Sequence, residues 1–83
     1  MLLRPVPIRL EQIYVPARLQ PTLDQTKVAQ LAESIIDIGQ TTPIRVRADG
    51  ARYVLVSGYH RLEAMRALGE ATIQALVVAA PRM

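Results

Sequence analysis

The sequence predicts an α+β domain: a small mixed sheet carrying two main helices, in the order strand, helix, strand, strand, helix, strand. Three observations lead there. Two segments place apolar residues at three- and four-residue spacing, and each is closed by a glycine, Gly39 or Gly69. Four other segments read as strands by alternation or by β-branched content. The 83 residues suffice for one core, so residues 1–83 are expected to form a single domain.

Taken in order, Val6, Ile8 and Leu10 alternate with Pro7 and Arg9, which suggests one short strand between Pro5 and Val15. Its prolines put it at a sheet edge. Pro16-Ala17-Arg18-Leu19-Gln20-Pro21 reads as a loop, since proline fixes its own φ and keeps its predecessor extended. Asp24 is placed to cap the first helix, on which Val28, Leu31, Ala32, Ile35 and Ile38 share one face. Ile44-Arg45-Val46-Arg47 alternates, Asp49-Gly50 reads as a two-residue turn, and Arg52 to Val56 returns as the second arm of a hairpin. Beyond Gly58 a second helix carries Leu62, Met65 and Leu68 on one face. Thr72 to Val78 is the last strand, and both helices are expected to pack on the sheet.

Composition is globular, with 51% hydrophobic and 20% charged residues. Ten Lys and Arg stand against seven acids, and nine of the ten are arginine. Arginine grips planar oxyanions bidentately, which fits a phosphate ligand. It is also a common compositional bias, and a net charge of +3 makes no nucleic-acid footprint unless it is clustered on one face. The absence of cysteine excludes disulfides, thiolate metal sites and a thiol nucleophile, and points to the cytoplasm. No apolar run approaches the roughly 18 residues of a membrane helix, and Arg4, Pro5 and Pro7 break any secretory stretch. One histidine leaves no ordinary zinc cluster, and Ser34 and Ser57 lack a triad spacing. Glu33, Asp37, Glu63 and Glu70 fall at solvent-type helical positions.

The informative segment is Val54-Leu55-Val56-Ser57-Gly58-Tyr59-His60-Arg61-Leu62, where a strand ends and a helix opens. Backbone N–H groups and the positive end of a helix dipole meet there, which makes an anion site. Gly58 allows close approach of a ligand, because no Cβ intervenes. His60 and Arg61 stand where the dipole disfavours positive charge, a mismatch of about 0.3–1 kcal/mol each that an anion offsets. Lys27, the only lysine, repeats the pattern at the first helix start. Against this stand a tight turn with Arg61 on a solvated face, and a surface lysine snorkelling over its helix. Tyr59 either stacks on a base or covers the edge of the core.

These segments resemble the ParB/sulfiredoxin superfamily, over about Ile8 to Val78. The resemblance rests on Pro21 to Leu31, on Pro43-Ile44-x-Val46 and on Ser57-Gly58-Tyr59-His60-Arg61. Gly-x-His-Arg joined to Leu23-Asp24-x-x-Lys27-Val28 is similar to sulfiredoxin more than to ParB, which carries Glu-Arg-Arg in place of Tyr59-His60-Arg61. In sulfiredoxins the Gly-Cys-His-Arg turn binds ATP phosphates, and its Cys attacks the activated sulfinate of peroxiredoxin. The resemblance implies that Gly58, His60 and Arg61 hold phosphates and that Lys27 and Ser34 line the nucleotide. Gln30 takes another such position but departs from the family's small hydroxyl residue. Arg18 sits in the loop where sulfiredoxins carry an arginine near the site. Tyr59 occupies the cysteine position, and a phenol does not replace a thiolate; sulfinic-acid reductase activity is therefore not implied. ParB binds CTP with this fold and couples it to a helix-turn-helix domain, for which 83 residues leave no room. A nuclease would need a carboxylate cluster for metals, and the sequence displays none.

The sequence thus reads as a monomeric, cytoplasmic nucleotide-binding domain of the ParB/sulfiredoxin fold, taking ATP or ADP with Mg²⁺ on a phosphate-binding loop. Slow ATP hydrolysis by positioning and electrostatic stabilisation is compatible with it. The alternative is a ParB-like module for DNA or a partner protein, one that uses CTP, with Arg45, Arg47 and Arg52 as a basic stripe on the hairpin.

Overall fold

A computed structural model of the chain describes residues 3–79, so the first two and last four residues of the expected domain lie outside the described residues. The elements are β1 (Val6–Arg9), a 3-10 turn (Leu10–Gln12), β2 (Ile13–Tyr14), a second 3-10 helix (Ala17–Thr22), α1 (Gln25–Ile38), β3 (Ile44–Asp49), β4 (Arg52–Ser57), α2 (Tyr59–Ala67) and β5 (Thr72–Val78). They form the α+β architecture with a mixed sheet of five strands in the order β1-β5-β3-β4-β2. β1 is antiparallel to β5, β3 is parallel to β5 and antiparallel to β4, and β2 is parallel to β4.

The expected first strand is in fact two. Ile8, Leu10 and Ile13 are all buried, and the three-residue step from Leu10 to Ile13 cannot keep one face of a continuous strand. The 3-10 turn absorbs the odd step. It sends β2 to the opposite edge of the sheet, while proline-bearing β1 keeps the edge position expected of it. The loop expected at Pro16 to Pro21 winds into the second 3-10 helix, which presents Leu19 to the core. Pro21 fits there because its fixed φ matches 3-10 geometry.

The hairpin is present, but its turn is one residue later than expected, at Gly50-Ala51. Asp49 stays in the ladder opposite Arg52, and its carboxylate accepts from Arg52 Nε at 3.0 Å. Gly50, at φ 60°, takes the one positive φ the turn needs. A register shift between Arg45 and Val46 marks a bulge opposite the last residues of β4, just before the chain turns into α2.

α2 lies on the sheet over β3 and β5, and α1 packs chiefly against α2, with Ile35 reaching the core. The core is built around Ile44, Val46, Leu55, Leu62 and Ile73, each at most 1% exposed. On α1, Val28 is buried and Leu31, Ala32 and Ile35 are half-buried, whereas Ile38 is 67% exposed instead of facing the core. Ile36, in the same last turn, is 69% exposed as well, while Ile35 packs against the core. Before β3 starts, the Gln40 side-chain amide donates to Gln74 O at 2.9 Å and accepts from Gln74 N at 2.8 Å, standing in for a strand backbone beside β5. Among the described residues no helix is long and apolar enough to cross a membrane.

Candidate functional site

The two helix starts meet, and they are chemically unequal. At α1 the Asp24 carboxylate accepts from Thr26 N at 2.9 Å and Lys27 N at 3.4 Å. Its negative charge already offsets that helix's dipole. At α2 the capping position is Gly58, which has no side chain to accept a bond, and the first helical bond runs from Leu62 N to Gly58 O at 3.0 Å. The N–H groups of Tyr59, His60 and Arg61 therefore face outward with no acceptor among the described residues. Of the two helix starts, that of α2 is the one left uncapped.

Gly58 is fixed by two constraints. Its φ is 99°, in the left-handed region that favours glycine. A Cβ there would also lie 2.6 Å from Ile44 Cγ2 and 2.9 Å from Ile44 Cβ. Ile44 is 1% exposed at the start of β3, so it has no room to give. Packing over β3 thus requires this glycine even without the approach of a ligand.

His60 holds the two starts together. Its Nε2 accepts the backbone N–H of Asp24 at 3.0 Å, a bond between residues 36 apart in the chain. An accepting Nε2 carries no proton, so the neutral ring bears its hydrogen on Nδ1 and can donate only from that side. Tyr59 packs against the core and its ring lies 6.4 Å from that of His60, tilted by 50°.

A cavity of about 450 Å³ opens between the helices, lined by Lys27, Gln30, Leu31, Gly58, Tyr59, His60 and Arg61. That volume is within the range of small-ligand sites, roughly 300–1,000 Å³. No carboxylate lines it. Ion pairs among the described residues join Arg9 to Glu11, Arg52 to Asp49 and Arg66 to Glu63, at 2.9, 3.0 and 2.9 Å, and none involves a cavity residue. Lys27 and Arg61 thus stand without an acidic partner around three open N–H groups. Chemically, the arrangement favours an anion over a cation.

Of the eight candidate residues, Lys27, Gln30, Gly58, Tyr59, His60 and Arg61 lie around this one cavity. Ser34, one turn beyond Gln30 on α1, is exposed and does not line it. Arg18, on the second 3-10 helix, is likewise exposed and outside the lining. Leu31 also lines the cavity; the sequence places it on the packing face, but it follows Lys27 by four residues, a spacing that shares a face. Among the described residues no group of three or more His, Cys, Asp or Glu could hold a metal ion.

Residues 5–82 match the family described as ParB N-terminal domain. The chain is 41% identical over 69 residues to a chloroplastic/mitochondrial sulfiredoxin of Arabidopsis thaliana, covering 83% of this chain and 55% of that protein. It is 36% identical over 72 residues to a probable chromosome-partitioning protein ParB of Campylobacter jejuni, covering 84% of this chain and 26% of that protein. The chain therefore spans about half of one relative and a quarter of the other. Among solved structures, sulfiredoxin from Arabidopsis thaliana superposes with a TM-score of 0.83 at 36% identity, covering 93% of this chain and 86% of that one. A C-terminally truncated ParB of Caulobacter crescentus complexed with CTP-gamma-S gives 0.81 at 23% identity, covering 94% and 46%. A variant of a free serine kinase in complex with ADP gives 0.77 at 22% identity, covering 89% and 30%. The last two likenesses are of fold.

Proposed function

Since the chain belongs to the ParB N-terminal domain family, within the ParB/sulfiredoxin superfamily, we propose that its cavity binds the phosphates of a nucleotide, ATP or ADP. One observation carries the reading: the uncapped start of α2 offers three backbone donors beside two cations that have no acidic partner. In this reading the α2 amides cradle a phosphate oxygen and Arg61 clamps it bidentately. His60 donates from Nδ1, and Lys27 supplies a further charge from α1. Gln30, one turn along α1 from Lys27, approaches the sugar and base, with Ser34 further along the same helix. Arg18 lies outside the cavity lining and would reach only a ligand that extends beyond it. Neighbouring folds that hold ADP or a CTP analogue support the ligand class.

With no carboxylate in its lining, the cavity offers Mg²⁺ no protein ligand set. The ion would enter as a companion of the phosphates, and no step is assigned to it. The same lack leaves no evident group to orient an attacking water, so hydrolysis of a phosphoanhydride would be slow. Tyr59 stands at the position of the sulfiredoxin cysteine, and ATP-dependent reduction of hyperoxidised peroxiredoxin is not expected. Detecting it in the unaltered protein would overturn the argument from Tyr59.

Calorimetric titration with ATP, ADP and CTP at fixed Mg²⁺ tests the ligand. ATP and ADP should bind more tightly than CTP, by about 1–2 kcal/mol where base-edge hydrogen bonds contribute. Equal affinities would mean that only phosphates are read, and tighter CTP binding would move the protein to the ParB side. Absence of binding by all three would contradict the proposal itself.

A further inference from the structure

The distribution of acids over the chain bears on the form in which the cavity between the helices takes its ligand. None of the seven Asp and Glu residues lines it. Three of them answer Arg9, Arg52 and Arg66, which do not line it either. Glu33 and Asp37 are exposed further along α1, and Glu70 follows the far end of α2. Asp24 alone stands at the helix starts, and its carboxylate is taken by the N–H groups of Thr26 and Lys27. The charged groups that do line the cavity, Lys27 and Arg61, are both cations.

A nucleoside diphosphate carries about three negative charges above the second ionisation of its terminal phosphate, near about pH 6. Lys27, Arg61 and the positive end of α2, worth roughly half a charge, answer nearly all of them. A chelated Mg²⁺ cancels about two of those charges and occupies phosphate oxygens that the amides and Arg61 would otherwise reach. Protein sites for such a chelate hold the ion through one or two carboxylates. This cavity sets two like charges against it instead. Mg²⁺ also keeps several waters in its octahedral shell. About four of them, at ~30 Å³ each, would take about a quarter of the 450 Å³ between the helices.

Resting on the nucleotide reading of this cavity, we propose that its preferred ligand is the metal-free nucleotide, and that Mg²⁺ competes with the protein for the phosphates. ADP binds as the free anion, with its phosphate oxygens shared among the α2 amides, Arg61 and Lys27. The magnesium chelate binds at the same place but more weakly, because the ion brings positive charge and bound water among groups that are already cationic. Occupancy therefore rises when Mg²⁺ falls at constant total ADP, which makes the domain a reader of uncomplexed nucleotide. Lys27 contributes most to this preference when the phosphates bear their full charge.

The test is calorimetric titration of the full chain with ADP at constant ionic strength, once in buffer stripped of divalent ions and once with enough Mg²⁺ to chelate all the nucleotide. Affinity should be about fivefold or more higher without the ion, with amide shifts at Gly58 to Arg61 in both media. Lys27→Gln should weaken binding of free ADP and bring the two affinities closer together. Mg²⁺ alone should move neither the cavity amides nor that of Asp24. Equal affinities, or tighter binding with Mg²⁺, overturn the proposal and leave the nucleotide reading in place. A gap that Lys27→Gln does not narrow overturns it too, as do saturable shifts at the cavity or Asp24 with Mg²⁺ alone, which would mean that the protein itself holds the ion. Absence of ADP binding in both media overturns the nucleotide reading and this proposal together.

Discussion

At the scale of single residues, the site rests on a few atoms whose roles differ in how visible they are. Gly58, His60 and Arg61 stood out in the sequence because a strand ends and a helix begins within one short motif. The bond from Asp24 N–H to His60 Nε2 did not, because it joins residues 36 apart and exists only once α1 has packed on α2. It predicts that neutral His60 carries its proton on Nδ1. Nitrogen-15 chemical shifts of the ring, with a scalar coupling across the N–H···N bond, check this, and an Nε2-protonated ring would contradict it. Gly58→Ala meets both a left-handed φ and the Ile44 side chain. It should cost about 2–5 kcal/mol of stability, from roughly 1–2 for the backbone and 1–3 for the overpacking, measured by urea unfolding. Arg61→Ala should leave stability near that of the unaltered protein and weaken ADP binding by about 1.5–3 kcal/mol, the range of a charged hydrogen bond. A variant with unchanged affinity would place Arg61 outside the ligand.

At the scale of elements, the hydrophobic spacing made both helices and the hairpin legible, and local chemistry fixed their ends. Asp24 and Gly39 bound α1, and Gly69, at φ 75°, follows α2. What spacing could not convey was how the elements are shared out. The step from Leu10 to Ile13 was the one local sign that the first strand breaks, and it became meaningful only with β1 and β2 on opposite edges of the sheet. Ile38 continues the α1 pattern yet is 67% exposed, because spacing along one helix does not report where its packing surface ends. The self-capped α1 and uncapped α2 predict opposite responses to substitution at their starts. Asp24→Ala removes a cap and should cost about 0.5–2 kcal/mol in thermal or urea unfolding. No cap is lost at α2, because its donors are open already, and an added anion should protect its first-turn amides from hydrogen exchange.

At the scale of the whole molecule, a five-strand sheet with α2 on one face and α1 on α2 brings two helix starts to one point. The fold class was legible because strand and helix patterns alternate cleanly along 83 residues. The strand order was not, because β1 and β3 reach β5 from distant parts of the chain and leave no local trace of their pairing. A ligand that binds only the folded state adds its binding energy to the stability of so small a domain. At one hundred times its dissociation constant, ADP should add about 2.7 kcal/mol. In a domain of this size that corresponds to a rise in Tm on the order of 10 °C, which scanning calorimetry resolves. The most direct measurement is amide chemical-shift mapping of the full chain titrated with ADP and Mg²⁺. The account predicts saturable shifts at Gly58, Tyr59, His60 and Arg61 and in the first turn of α1 around Lys27, weakened in Arg61→Ala. Shifts confined to Arg45, Arg47 and the outer face of the sheet, or no saturable shift at all, would contradict it.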